Sequence, residues 1–226
     1  KNIIEQYASK IAATRLLIQN NFFSSVPESQ ELTFIPEILE SLKRQKIVIT
    51  SLNGCGWESI RILMEKLGMQ EGVHFFSVKD ENIPDGNFPT GVGKCKGKPN
   101  PEYPENFHKA VEIAFHVKAK YIFAADPDAD RLGIGMIDPH STDVKTAYKN
   151  TRFFSGNEQL AIPIWYLGLM NTYSQDDVFV QTLVSSTLYS KMVNFIGATI
   201  HFVPVGFKYF EQISNHYVSQ LIQTIR

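Results

Sequence analysis

Three aspartates at alternate positions, Asp126, Asp128 and Asp130, followed at once by Arg131, are the residues of this chain best suited to chemistry. They sit in Y-I-F-A-A-D-P-D-A-D-R-L-G-I-G-M-I-D, residues 121–138, between two apolar runs. Converged carboxylates repel one another and raise one another's pKa unless a cation lies among them. Their hard oxygen donors suit Mg2+, Mn2+ or Ca2+ and disfavour soft metals. Three protein oxygens would leave an octahedral Mg2+ open positions for water or a phosphate. The planar fork of Arg131 suits a phosphate or a carboxylate. A metal beside an arginine, outside the carboxyl end of a strand, is a setting for phosphate chemistry. A solvated acidic turn is the plain alternative, since Asp and Pro favour turns; three carboxylates in strict alternation behind a buried strand argue against it.

Spacing checks two rival motifs. A calcium loop of the EF-hand type beginning at Asp126 needs Gly at its sixth position and Glu at its twelfth. Arg131 and Ile137 stand there, so that reading fails. The D-x-D opening of haloacid-dehalogenase-type phosphatases normally continues with Thr or Val where this chain has Asp130, which makes it the lesser rival.

The elements that must position these side chains follow from periodicity. Tyr121–Ala125 is a short apolar run and reads as a buried strand. Pro127 disfavours helix around it, so the aspartates fall on a loop. In locally extended backbone, alternate residues share a side, and the carboxylates converge. Leu132–Ile137 is the next strand, with Gly133 and Gly135 permitting close backbone approach. Glu105–Lys118 is an amphipathic helix with Phe107, Val111, Ala114 and Phe115 on one face, feeding the strand before Asp126.

Upstream, Asn2–Phe23 has helical apolar spacing, Val26–Pro36 is a connection and Ile35–Leu42 a short helix. Ile47–Leu52 is a strand. Asn53-Gly54-Cys55-Gly56-Trp57 then turns into a helix over about Glu58–Leu67, stopped by Gly68. Strand, glycine turn and helix is the arrangement that offers backbone N–H groups to a phosphate, but G-x-G-x-x-G would need Gly where Ser59 stands, and a tight turn explains the glycines as well. Val73–Val78 is a second strand. Pro84–Pro104 is a long loop rich in Pro, Gly and Lys. Its alternating Lys94, Lys96 and Lys98 are read first as surface charge and second as contacts to an anion.

The segment Pro139–Arg152 is polar, and a domain boundary is placed near Asn150. An α/β pattern then restarts. Asn157 is expected to cap a helix reaching about Asn171, with Pro163 near its first turns or kinking it. Val178–Val184 is a strand, and Ser185 or Ser186 caps a helix over Thr187–Ile196. No G-x-S-x-G elbow surrounds these serines, so capping is preferred to nucleophilic catalysis. Ala198–Val203 is a strand, and Gly206–Ser214 opens a last helix. Lys208 lies at its N-terminus, where a cation opposes the helix dipole; an anion to bind would account for it, as would plain surface placement. The fold class is therefore α/β, with two tandem domains, 1–149 and 150–226, each a mostly parallel sheet flanked by helices.

Composition bounds the function. The 226 residues carry a net charge of −1, with 43% hydrophobic and 20% charged residues. No global field favours nucleic acid or a membrane surface. No apolar run is long enough to cross a bilayer, and no signal peptide is visible. The first residue is Lys1, which suggests processing or an excerpt of a longer chain. Cys55 and Cys95 are read as free thiols, which fits a cytoplasmic setting. The six histidines are scattered without metal spacing.

D-P-D-A-D-R-L resembles the metal loop of the α-D-phosphohexomutase superfamily, which includes phosphoglucomutases, phosphomannomutases and phosphopentomutases. The likeness runs through nearly the whole chain in order. L-N-G-C-G-W-E is similar to the family's L-H-G-V-G segment. P-D-G-N-F-P-T and P-N-P-E-Y-P-E are similar to its P-D-x-x-F-P-T and P-N-P-E-x-P-E segments. F-S-G-N-E resembles the opening of its third domain, and V-G-F-K-Y-F its T-G-F-K-x-x segment. The wording is most like the phosphoglucomutase-2/phosphopentomutase branch. Asn53 stands at the family's histidine, and Val205 at its threonine.

The resemblance implies the second and third of four family domains. The T-A-S-H-N-P segment that carries the transferable phosphate, the G-E-E-S segment that grips the sugar and the fourth domain are not in this sequence. It implies Mg2+ held by Asp126, Asp128 and Asp130, with Arg131 orienting the serine-borne phosphate and Lys208 touching substrate or assisting proton transfer. The implied activity moves a phosphate between the 1- and 6- (or 5-) hydroxyls of a sugar through a phosphoserine and a bisphosphate. Glucose-1-phosphate, ribose-1-phosphate or mannose-1-phosphate is the implied substrate, and the fragment alone is expected to be inactive. Two rivals stand beside this reading: a non-catalytic metal- or phosphosugar-binding protein without the nucleophile, and a separate metal-dependent phosphatase.

Overall fold

Near-continuous apolar runs place the centre of the fold. The computed structural model describes residues 39–169 and 178–225, with side chains over 39–166 and 178–216. The helix expected over Asn2–Phe23 and the connection Val26–Pro36 lie outside the described residues. A first helix, α1, spans 39–45. β1, Ile47–Thr50, is buried at every position, as a strand covered on both faces must be. α2, Trp57–Lys66, carries Glu58 in its first turn and Lys66 in its last, both in accord with the helix dipole. It stops at Gly68, whose φ of +72° suits the left-handed position past a helix end.

β2 is Phe75–Ser77. A 3-10 turn at Pro104–Phe107 leads into α3, His108–Val117, so the helix expected from Glu105 begins as a tighter coil. β3 is Tyr121–Ala125 and β4 is Leu132–Met136. Two short elements fall in the stretch read as polar and weakly periodic. α4, Val144–Asn150, is capped by the Asp143 carboxylate, which accepts the Thr146 N–H, and β5 is Arg152–Phe154.

The sheet order is β2-β1-β3-β4-β5. β1 pairs in parallel with β2 and with β3, whereas β3–β4 and β4–β5 are antiparallel. The change of direction is forced by chain length: a parallel return from β3 would need a long crossover, and only residues 126–131 are available. Strand alternation divides the core. Val48, Ile122 and Ala124 pack with Phe107, Val111 and Ala114 of the α3 side and Ala147 of α4. Ile47, Ile49 and Phe75 pack with Met69, and with Leu42 of α1 and Ile60 and Met64 of α2. The result is helix, mixed sheet, helix.

The chain divides into two compact units, Lys1–Gly156 and Asn157–Arg226. β5 belongs to the sheet of the first. The second holds α5, Gly156–Leu169; β6, Val178–Thr182; α6, Thr187–Phe195; β7, Thr199–Val203; and α7, Phe207–Ile225. β6 and β7 are parallel. Ser186 caps α6 by accepting the Leu188 N–H, as expected. Asn157 does not cap α5. The helix begins one residue earlier, and the Asn157 side-chain oxygen instead accepts the Tyr189 hydroxyl at 2.9 Å. Pro163 lies in the helix interior. Among the described residues, no helix is long and apolar enough to cross a membrane.

Candidate functional site

β3 and β4 form a hairpin, with Ala125 opposite Leu132, and the aspartates occupy its connection. Asp126 N–H donates to the Arg131 carbonyl at 3.2 Å and closes the hairpin. Inside that closure the Ala129 N–H donates to the Asp126 carbonyl at 3.0 Å. Pro127 thus takes the second position of a tight turn, where its fixed φ is favourable, and Ala129 leaves it with a φ of +62°. One ligand oxygen from each of Asp126, Asp128 and Asp130 lies within 4.8 Å of the others. Convergence comes from this turn and not from the extended backbone expected from the alternation.

The three carboxylates are unequal. Asp126 is fully buried. Its Oδ1 accepts the Arg131 backbone N–H at 3.0 Å, and its Oδ2 accepts Arg131 Nε at 2.7 Å. Burial pushes the Asp126 carboxyl up, but these bonds from Arg131 outweigh it and hold the group below the ordinary aspartate value. Asp128 and Asp130 are exposed. Partial desolvation, with the neighbouring charges of Asp128 and Asp126, pushes the Asp130 carboxyl up. The donor set therefore carries negative charge that Arg131 alone does not offset, and its hard oxygens fit a divalent cation of the Mg2+ type.

The glycine turn after β1 holds this loop. A Cβ on Gly54 would lie 2.3 Å from Pro127 Cα, and one on Gly56 would lie 2.9 Å from Ala129 Cβ. Cys55 N–H donates to the Pro127 carbonyl at 2.9 Å. One backbone donor of the turn is thus committed to the metal loop. Gly133 admits another close neighbour, since its Cβ would lie 2.6 Å from the Pro101 carbonyl oxygen.

Asn53 ties a second loop to the same place. It is buried, with a φ of +61°, a conformation that Asn tolerates better than most residues. Its Nδ2 donates to the carbonyls of Asp80 at 2.9 Å and Ile83 at 3.0 Å, and its Oδ1 accepts the Thr90 hydroxyl at 2.9 Å. The start and end of P-D-G-N-F-P-T are thereby fixed from one side chain. Beneath it, Glu81 is buried and accepts the Thr50 hydroxyl. Desolvation pushes the Glu81 carboxyl up, against the hydrogen bonds from Thr50 and Thr90.

Asp128, Arg131 and Pro127 form one wall of an open groove of about 680 Å3; Lys98, Tyr103 and Phe88 stand among its other residues. The Arg131 side chain is 53% exposed, so it can pair with buried Asp126 and still meet a ligand. Of the alternating lysines only Lys98 lines this groove. Cys55 is an exposed free thiol on the same rim, and Cys95 is buried. The structure brings Asp126, Asp128, Asp130 and Arg131 together. Lys208 belongs to the second unit, exposed at the start of α7, with its Nζ 4.8 Å from the centre of the Tyr209 ring. Asn53, Gly54 and Lys98 were the residues that spacing alone undervalued; the Asn-Gly pair and Gly56 directly after an apolar run were the available signals of a special turn.

Residues 26–138, half of the chain, match the family model of phosphoglucomutase/phosphomannomutase, alpha/beta/alpha domain II. This chain belongs to the phosphoglucomutase/phosphomannomutase family. Within it, the chain is 29% identical over 201 residues to a phosphomannomutase of Mycoplasma pneumoniae, covering 89% of this chain and 33% of that protein. It is 25% identical over 229 residues to a phosphoglucomutase of Staphylococcus saprophyticus, covering 94% of this chain and 38% of the relative. The chain thus spans about a third of the length of the curated relatives it matches. The fold is similar to that of a phosphoglucomutase/phosphomannomutase family protein from Burkholderia thailandensis, with a TM-score of 0.56 at 18% identity, over 80% of this chain and 35% of that one. The helix–sheet–helix layering of the first unit accords with the domain description of the matched family model.

Proposed function

We propose that these residues are the central part of a phosphosugar mutase of the phosphoglucomutase/phosphopentomutase type, with residues 1–149 as the family's second domain and 150–226 as part of its third. The observation that carries the reading is the turn that gathers three carboxylates within 4.8 Å beside an arginine paired to the buried one. Asp126, Asp128 and Asp130 hold Mg2+, which when bound offsets charge on a phosphoryl group in transfer. Arg131, anchored through Nε, presents the rest of its guanidinium to a phosphate, where a planar fork binds two oxygens at once. Lys98 adds a cation in the groove. Lys208 contacts substrate or assists proton transfer. The pairing of buried Asp126 with half-exposed Arg131 keeps the loop preorganised, so little rearrangement accompanies transfer.

The transferable phosphate is carried by a serine outside these residues, and the setting is cytoplasmic. The test is an assay of the longer polypeptide containing this chain, with Mg2+, on glucose-1-phosphate, ribose-1-phosphate and mannose-1-phosphate. Conversion of one of them, lost in Asp128→Asn, supports the reading. No conversion of any of the three, with the protein folded, contradicts it and favours a phosphosugar-binding role.

A further inference from the structure

A second cavity lies at the other end of β3 from the metal loop. It measures about 600 Å3 and is lined by Arg44, Lys118, Lys120, His116, Asp138 and Ser141, among others. That volume is in the ordinary range for small-molecule sites. β3 has five residues, so at about 3.3 Å each the two sites stand roughly 17 Å apart.

We propose that this cavity binds a small soluble phosphate monoester. Charge is the first argument. Arg44, Lys118 and Lys120 make no salt bridge among the described residues. Glu40, one helical turn before Arg44, is taken by Lys43 at 2.7 Å. The one lining carboxylate, Asp138, is already committed: its Oδ1 accepts the His140 N–H at 3.0 Å and its Oδ2 accepts Asn150 Nδ2 at 3.3 Å. The lining thus carries three cations, Arg44, Lys118 and Lys120, against one carboxylate, Asp138, which keeps its negative charge while accepting these two bonds. An arginine fork with two lysine point charges is a donor set for a dianionic phosphate.

The second argument is an unpartnered group. Ser141 Oγ is buried and has no hydrogen-bond partner, and Ser141 lines the cavity. Buried hydroxyls are nearly always paired, and an exception calls for an explanation such as a missing ligand. Ser141 Oγ has almost no accessible surface as it stands, so it would donate to a phosphate oxygen after rotating about χ1 into the cavity.

The third concerns Lys118. It follows α3 with a φ of +57°, the position past a helix end where Gly or Asn is usual. The fold holds a lysine in a backbone conformation that disfavours it, and that lysine lines the cavity. Lys46, in the same conformation after α1, has a structural task, since its Nζ donates to the Val117 carbonyl at 3.1 Å. Lys118 shows no comparable bond among the described residues. The helix-end carbonyls nearby are already satisfied: Gln45 by the Lys120 N–H, and Ala114 by the Ala119 N–H. They offer a bound anion little repulsion.

The proposal does not depend on the mutase reading. It is tested by titrating the metal-free chain with inorganic phosphate and following backbone amide shifts. Saturable shifts at Lys118, Lys120 and Ser141 are expected. Lys118→Gly and Ser141→Ala should each weaken them about tenfold, the scale of one charge-assisted hydrogen bond, while leaving the melting temperature in phosphate-free buffer unchanged or raised. Lys118→Gly suits its backbone position, so loss of folding is not the expected result. Absence of saturable shifts, shifts confined to residues 126–131, or shifts untouched by both variants would overturn the proposal.

Discussion

A Cβ on Gly54 would fall 2.3 Å from Pro127 Cα. The turn after β1 and the aspartate loop after β3 are in backbone contact, and a glycine is what permits it. Real Cβ atoms do not approach backbone that closely, so Gly54→Ala must move one loop off the other. The expected result is a divalent-ion affinity at least tenfold weaker, with stability lowered by about 1–3 kcal/mol, the usual cost of overpacking. Calorimetric Mg2+ titration and urea unfolding check the two parts separately.

The pairing of Asp126 with Arg131 is a stability element apart from any metal. Asp126→Ala removes two hydrogen bonds to a buried carboxylate and leaves the Arg131 backbone N–H without its partner. Metal-free protein should lose about 1.5–3 kcal/mol, the range for bonds to charged groups. Arg131 is half-exposed and regains water, which keeps the cost below that of a stranded buried charge. Chemical denaturation in chelator measures it.

Asn53 fixes both ends of P-D-G-N-F-P-T. Asn53→Ala deletes three side-chain hydrogen bonds and puts a less tolerant residue in a left-handed backbone. A loss of about 2–4 kcal/mol follows from roughly 1 kcal/mol per bond, with faster amide exchange through residues 80–90. Unchanged exchange there would remove Asn53 from the account of how the groove is built.

Burial raises the Glu81 carboxyl above the ordinary glutamate value. The folded state therefore keeps a proton that the unfolded chain releases near pH 4.3. The Glu81 contribution to stability is full below that value and falls as pH rises through the raised one. Glu81→Gln cannot titrate. The stability of the wild type relative to Glu81→Gln should therefore decline between about pH 4 and the raised folded value, which parallel melting curves on the two proteins will show.

Much of this was legible in the sequence because local and global signals agreed. The apolar run Tyr121–Ala125 is β3 at the expected bounds, and Ser186 caps its helix. The convergence of Asp126, Asp128 and Asp130 was reached from alternation, although a tight turn produces it; the residues were informative where the conformational argument was not. Short elements escaped. β5, Arg152–Phe154, is a three-residue strand defined by pairing to β4, and α4 has only seven residues beyond its Asp143 cap. Neither has enough length to show a period. The packing role of Gly54 was also hidden, because its neighbour Pro127 is distant in sequence.

The most direct measurement of the central claim is binding of Mn2+, as a spectroscopic stand-in for Mg2+, to the chain of 226 residues and to Asp128→Asn. Asp128 is exposed, so the variant should fold as the wild type does. The account predicts one displaceable site in the wild type, competed by Mg2+, and affinity at least tenfold lower in Asp128→Asn, with more than 1.4 kcal/mol of binding lost. Equal binding by the two proteins, or no binding by the folded wild type, would contradict the assignment of Asp126, Asp128 and Asp130 as a metal centre.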